Sequence, residues 1–196
     1  MKITSKQRDI LVGTILGDAY LQKTGKQNAR LRLEHGAKQQ EYLLWKVKQL
    51  QLFFQGRARY LERVHPITKR TYCYWRHQSQ TAPFLGKLRA LFYPDGKKHI
   101  PEKIGKFLAP QSLAVWYMDD GYYYARDRCA YLYLGNVTRG EAECVSRAIN
   151  QKFDFKVRVL VKKKGFAVYF PPAEVAKLKK SIQPHILPYF NYKLPS

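Results

Sequence analysis

Leu11-Val12-Gly13-Thr14-Ile15-Leu16-Gly17-Asp18-Ala19 is a short apolar run that ends on a carboxylate, and a near-echo returns as Leu113-Ala114-Val115-Trp116-Tyr117-Met118-Asp119-Asp120-Gly121. The chain has 196 residues and carries 36 Lys and Arg against 14 Asp and Glu, so acids are scarce. Asp18, Asp119 and Asp120 nonetheless all sit at the ends of these two runs. A strongly basic chain that keeps carboxylates in two matched places is expected to use them. Gly13 and Gly17 lie four apart and share one helix face. Each costs about 1 kcal/mol relative to alanine inside a helix, so close approach of a second helix is the expected compensation.

Working outward, the same order of elements surrounds both runs. Thr4 with Gln7 reads as a capping box that starts the first helix at Thr4 or Ser5. Tyr20-Leu21-Gln22 reads as a polar loop. Residues 29–34 alternate strictly, giving a strand with Leu31 and Leu33 inward and Arg30, Arg32 and Glu34 outward. Lys38 to Phe54 has helical spacing and stops at Gly56. Residues 57–61 and 71–76 read as two strands around a turn at Pro66, and Thr81 to Phe92 as a helix before the turn Pro94-Asp95-Gly96. In the second half Pro110 suits the first turn of a helix carrying Leu113 to Asp119. A strand at 130–134, a helix at 139–153, strands at 156–160 and 166–170 and a helix at 172–182 follow, with Gly165 in the last hairpin turn. Even the ends echo, Lys98-His99-Ile100-Pro101 against Tyr192-Lys193-Leu194-Pro195.

Two copies of so long a period mean a duplicated domain and not a solenoid. The expected fold is α+β, with two halves at residues 1–100 and 101–196. Each half runs helix, two strands, helix, two strands, helix, with antiparallel hairpins. The glycine-bearing helix pair is the expected core of the interface between them.

A formal net charge of +22 self-repels and favours polyanions. A ribosomal-type or architectural nucleic-acid binder is the plain alternative that charge alone supports. Cys73, Cys129 and Cys144 form no C-x-x-C, so neither a disulfide framework nor a zinc site is suggested. The histidines at 35, 65, 77, 99 and 185 show no metal-binding spacing, and no H-E-x-x-H, Walker or Rossmann pattern occurs. Lys2, Lys6 and Arg8 precede an apolar stretch, but Asp9 and Asp18 flank it and no cleavage site follows, which argues against a signal peptide. With no run approaching the roughly 18 apolar residues of a membrane span, a soluble intracellular protein without membrane contact is expected.

The two runs resemble the LAGLIDADG homing endonucleases (meganucleases), specifically the single-chain class with two motif copies. Leu11, Gly13, Ile15 and Asp18 match in the first copy, and Leu113, Ala114, Asp120 and Gly121 in the second. Val115 and Asp119 replace the small residues of the pattern, so either the second helix packs less closely or Asp119 serves the interface or as an auxiliary ligand. The resemblance implies a pseudo-two-fold saddle whose two antiparallel sheets bind DNA in the major groove. It implies a site-specific endonuclease that makes double-strand breaks in a long, nearly asymmetric target and leaves short 3′ overhangs, in the service of intron homing. Asp18 and Asp120, with the backbones of Ala19 and Gly121, would hold Mg²⁺, with Mn²⁺ substituting and Ca²⁺ supporting binding without rapid cleavage. Lys98 and Lys193 occupy matching positions and would orient water or stabilise developing charge. Glu34 and Asn136 each lie sixteen residues past a motif aspartate and would help hold that water, although the strand echo pairs Glu34 with Gly135 instead.

Double-stranded DNA is the expected partner, contacted by Arg30, Arg32, Arg57, Arg59, Arg76, Gln78, Arg158 and Lys162. Arginine suits guanine edges, whereas Lys162, Lys163 and Lys164 at a hairpin tip suit phosphates. Tyr72, Tyr74, Tyr131 and Tyr133 read as either core or contact. The protein is expected to be a monomer with no obligate protein partner, encoded in a bacterium or in an organelle. An intron RNA maturase and an inactive DNA-binding protein on the same scaffold are the alternatives.

Overall fold

A computed structural model describes residues 3–195. The chain folds as α1 (Ser5–Leu16), β1 (Tyr20–Lys23), β2 (Ala29–Gly36), α2 (Gln40–Gln49), β3 (Arg59–Val64), β4 (Thr71–Gln78) and α3 (Pro83–Phe92), followed by α4 (Pro110–Asp120), β5 (Gly121–Tyr124), β6 (Cys129–Gly135), α5 (Arg139–Phe153), β7 (Arg158–Lys162), β8 (Gly165–Phe170) and α6 (Pro172–Ile182). It is an α+β fold with two four-stranded antiparallel sheets, ordered β1-β2-β4-β3 and β5-β6-β8-β7. The same strand order twice over is the structural form of the sequence echo. Among the described residues, no helix is long and apolar enough to cross a membrane.

The chain divides into two compact units, one spanning Asp18–Gly96 and the other containing the segment through Gly17 together with residues from Lys97 onward. In the Asp18–Gly96 unit, α2 and α3 cover one face of the first sheet. Leu21, Leu31, Leu33, Leu43, Leu85 and Phe92 form its apolar centre. In the other unit, α5 and α6 cover the second sheet and α1 packs along α4. Burial of α1 is continuous from Ile10 to Leu16, so this half of the helix has no polar side.

The α1–α4 contact uses the glycines as holes. A Cβ on Gly13 would overlap the carbonyl oxygen of Ser112 and come within 2.8 Å of the Val115 Cβ; one on Gly17 would overlap the Asp119 carboxylate. Val115 and Asp119 therefore fill the space that the glycines leave, and Asp119 lies at the interface. Gly13→Ala is expected to destabilise the protein by about 1–3 kcal/mol through overpacking, despite alanine's better helix propensity. Gly25, whose Cβ would meet nothing within 4 Å, supplies the control; Gly25→Ala should stay within about 0.5 kcal/mol. Denaturant titration of both variants checks this, and equal midpoints would refute the close-packing account.

Local chemistry sets the ends of the elements. Thr4 Oγ1 accepts from Gln7 N at 3.1 Å while Gln7 Oε1 accepts from Thr4 N at 3.0 Å, closing the capping box of α1. Thr138 and Glu141 do the same for α5. Tyr20-Leu21-Gln22 is not a loop: it lies within β1, where Leu21 pairs with Leu31 and is fully buried. A strand this short takes its order from its neighbour and offers little periodicity of its own. The helix at 38–54 is also shorter than its spacing suggests, ending at Gln49; Phe53 and Phe54 still reach the core from the turns beyond. Val157 precedes β7 because Asn150 and Ser146 of α5 hold its backbone amide and carbonyl.

Candidate active site

Each motif helix ends in a cluster of carbonyl oxygens, and each cluster receives a lysine. Lys98 Nζ donates to Leu16 O at 2.8 Å and Gly17 O at 2.6 Å. Lys193 Nζ donates to Met118 O at 2.6 Å and Asp119 O at 3.1 Å. Helix C-termini carry partial negative charge and unsatisfied carbonyls, so a cation there is stabilising. The two lysines bind equivalent carbonyls at the ends of the two helices, and each is anchored through its own backbone neighbourhood. Near Lys98, Glu141 Oε1 accepts from Ile100 N at 2.8 Å and lies 3.1 Å from His99 Nδ1. Burial pushes the Glu141 carboxyl up, but hydrogen bonds from the Thr138 and Ile100 amides outweigh it and hold the group below its ordinary range. Near Lys193, Tyr117 Oη donates to the Lys193 carbonyl at 3.0 Å, and burial raises that phenol well above its usual range.

The motif aspartates follow immediately. Asp120 is the last residue of α4 and is half-buried. It lines a cleft of about 590 Å³ together with Lys98, Tyr133 and the lysines 162–164. One carboxylate here stands among several ammonium groups. In the Asp18–Gly96 unit, Asp18 sits in the turn before β1 with an exposed side chain, and Ala19 beside it is buried. His35 Nδ1 lies 3.8 Å from Asp18 Oδ2. Gly121 opens β5, where a Cβ would overlap the Tyr117 ring, so only glycine fits between the helix end and the strand.

The two sheets present different outward faces. On the first sheet, register places Arg32 opposite Gln78, Glu34 opposite Arg76 and Arg59 opposite Arg76, so these side chains share a face. Glu34 Oε1 accepts from Arg76 Nε at 2.7 Å and lies 3.1 Å from Arg32 Nε, which holds the two guanidiniums in place. Arg30 Nε donates to Gln22 Oε1 at 3.0 Å. Arg57, just before β3, joins Arg59, Arg76 and Gln78 around a hollow of about 410 Å³. Tyr72 and Tyr74 have the same parity as Arg76 and belong to this face.

On the second sheet the equivalent face is aromatic. Tyr131 pairs with both Tyr122 and Tyr169, and Tyr169 pairs with Arg158. Lys162 Nζ lies 3.7 Å from the Tyr131 ring centroid, and the Arg158 guanidinium 5.0 Å from that of Tyr169. The Tyr124 and Tyr133 hydroxyls are 2.7 Å apart. Burial, and then the Tyr124 contact, push the Tyr133 phenol up. Lys163 and Lys164 are exposed at a two-residue hairpin turn between Lys162 and its partner Gly165. Asn136 is exposed in the loop after β6.

The sequence pattern of the LAGLIDADG DNA endonuclease family matches residues 8–178. The chain belongs to this family. Among its relatives, a protein named RecA from Mycobacterium gastri is 29% identical over 98% of this chain and 48% of that protein, so the LAGLIDADG chain spans about half the length of such relatives. A probable intron-encoded endonuclease 1 from Wickerhamomyces canadensis is 26% identical over 96% of this chain and 83% of its own length. The homing endonuclease I-WcaI, solved bound to its DNA recognition sequence, superposes with a TM-score of 0.91 over 100% of this chain and 88% of that one, at 24% identity. That likeness shows a shared LAGLIDADG fold.

Two buried polar residues, His35 beside Asp18 and Lys46 against His35, have no place in the motif pattern. His35 is buried at the end of β2, and Lys46 is fully buried in α2. The inward parity of Leu31, Leu33 and His35 was the available signal for the first. For the second it was the helical spacing of Tyr42 and Lys46, which puts the lysine on the apolar side.

Proposed function

We propose that this protein is a site-specific DNA endonuclease that hydrolyses both strands of a long, nearly asymmetric duplex target and leaves short 3′ overhangs. Its duplicated units by descent are residues 1–100 and 101–196, and it acts as a monomer. The observation that carries this reading is the repeated helix end. A carbonyl-bound lysine recurs at the ends of the two motif helices, Lys98 at Leu16 and Gly17 and Lys193 at Met118 and Asp119, and in sequence a motif aspartate, Asp18 or Asp120, follows each helix end, in a chain of the LAGLIDADG DNA endonuclease family.

The donor set suits a hard cation. Asp18 and Asp120 offer carboxylate oxygens, the Ala19 and Gly121 backbones offer carbonyls, and helix C-termini favour positive charge. Mg²⁺, for which Mn²⁺ would substitute, would supply charge neutralisation at the scissile phosphate and a more acidic bound water. The protein's own part is positional. Asp18 and Asp120 would each offer an ionic ligand at its own motif, while Lys98 and Lys193 occupy the helix-end carbonyls and keep them out of competition for a cation. Glu34 and Asn136 flank these positions as polar groups able to hold water. Arg30, Arg32, Arg57, Arg59, Arg76 and Gln78 present donors to base edges and phosphates. Arg158 and Lys162 lie over tyrosine rings, and Lys163 and Lys164 reach phosphates.

Selection from a randomised duplex library in Mg²⁺, with a parallel selection for binding in Ca²⁺, tests the reading. One long cleaved sequence, also enriched by binding, is expected. Enrichment by binding with no cleavage at any sequence would replace nuclease activity with DNA binding alone.

A further inference from the structure

We propose that His35 is a positioning residue for Asp18, itself held in place by Lys46. The inference rests on the reading of Asp18 as a cation ligand and extends it to groups that no motif includes. Lysine is almost never fully buried unless paired, yet Lys46 has no exposed surface and His35 only 4%. An apolar side chain would fill the space at lower desolvation cost, so the polar pair calls for another reason. Lys46 Nζ lies 3.2 Å from His35 Nε2 and 4.3 Å from the centroid of the Tyr42 ring. The Tyr42 ring also packs against the imidazole, with centroids 4.8 Å apart.

The arrangement fixes the imidazole's tautomer. An ammonium has donors and no acceptor, so Nε2 accepts from Lys46 and Nδ1 carries the hydrogen. Nδ1 is the atom that faces Asp18 Oδ2, at 3.8 Å. That separation exceeds a hydrogen bond, and the contact is an electrostatic rest for the carboxylate. Asp18 lies beyond the end of α1 in a turn, with its side chain 48% exposed. A buried, oriented N–H beside a ligand carboxylate limits the directions in which that carboxylate can point.

Two isosteres separate positioning from space-filling. Asparagine places its amide nitrogen at the position of Nδ1, toward Asp18. Glutamine places its amide at the position of Nε2, where its oxygen can accept from Lys46. Three quantities are measured: the single-turnover cleavage rate in Mg²⁺, the calorimetric Ca²⁺ affinity of the protein–DNA complex, and the Kd for DNA. For H35Q the cleavage rate and the Ca²⁺ affinity should each fall about 10–100-fold, the range typical of lost ligand-orienting partners, while the Kd for DNA is unchanged. H35N should retain most of both. Should H35N fail to fold because Lys46 loses its acceptor, H35N/K46M takes its place under the same criteria. An H35Q variant equal to wild type in rate and Ca²⁺ affinity overturns the inference, as does an asparagine variant that falls as far as H35Q. A folded wild-type protein that cuts nothing is a different failure: it removes the nuclease reading itself, and this inference with it.

Discussion

Asp18→Asn and Asp120→Asn should each lower the double-strand cleavage rate in Mg²⁺ by about a thousandfold or more. The amide is nearly isosteric with the carboxylate but carries no charge, so the cation loses its ionic ligand while the fold keeps its shape. Stabilisation worth several kcal/mol is at stake in such a site, and each 1.36 kcal/mol is tenfold in rate. Affinity for duplex DNA should hold or rise slightly, because each substitution removes a negative charge from a surface that meets phosphates. Supercoiled plasmid carrying the selected site, followed over time, reports nicking and linearisation separately. Either variant linearising plasmid at the wild-type rate would remove that aspartate from the chemistry.

DNA affinity should collapse with added salt. The arginines of the first sheet, the hairpin lysines 163 and 164 and the cations over the tyrosine face offer enough positive groups to neutralise about 6–10 phosphates. A protein doing so loses about 10³–10⁵ in affinity between 50 and 200 mM salt through counterion release. Lys163→Ala and Lys164→Ala should each reduce the slope of log K against log salt by about one, with little change in which sequence is preferred. Arg76→Ala should instead relax preference at particular base pairs, and it leaves Glu34 paired with Arg32 alone. A shallow salt dependence in the wild-type protein would contradict extensive backbone contact.

Much of this architecture can be read from the residues because local signals agree with the tertiary outcome. Helices α5 and α6 span the segments expected at 139–153 and 172–182, and the strict alternation of residues 29–34 gives the inward and outward faces of β2. β1 is harder to read, since four residues held by pairing with β2 carry no period of their own. Lys98 and Lys193 can be picked out because each precedes an apolar–Pro pair, but their bonds to helix-end carbonyls depend on where distant segments return. The parity of Tyr72 and Tyr131 needs the register of neighbouring strands. His35 and Lys46 carry no spacing signal that links them to Asp18, because their meeting joins a strand to a helix.

The contact between α1 and α4 also bears on the history of the chain. All the hollows are on one helix, at Gly13 and Gly17, and all the fillers on the other, at Val115 and Asp119. A homodimer needs a surface that fits itself. Two copies of α4 would press one Asp119 carboxylate toward another, with no glycine opposite to make room. The two helices are complementary to each other and α4 is not complementary to itself, a pairing that suits one chain carrying both better than a symmetric pair of identical chains.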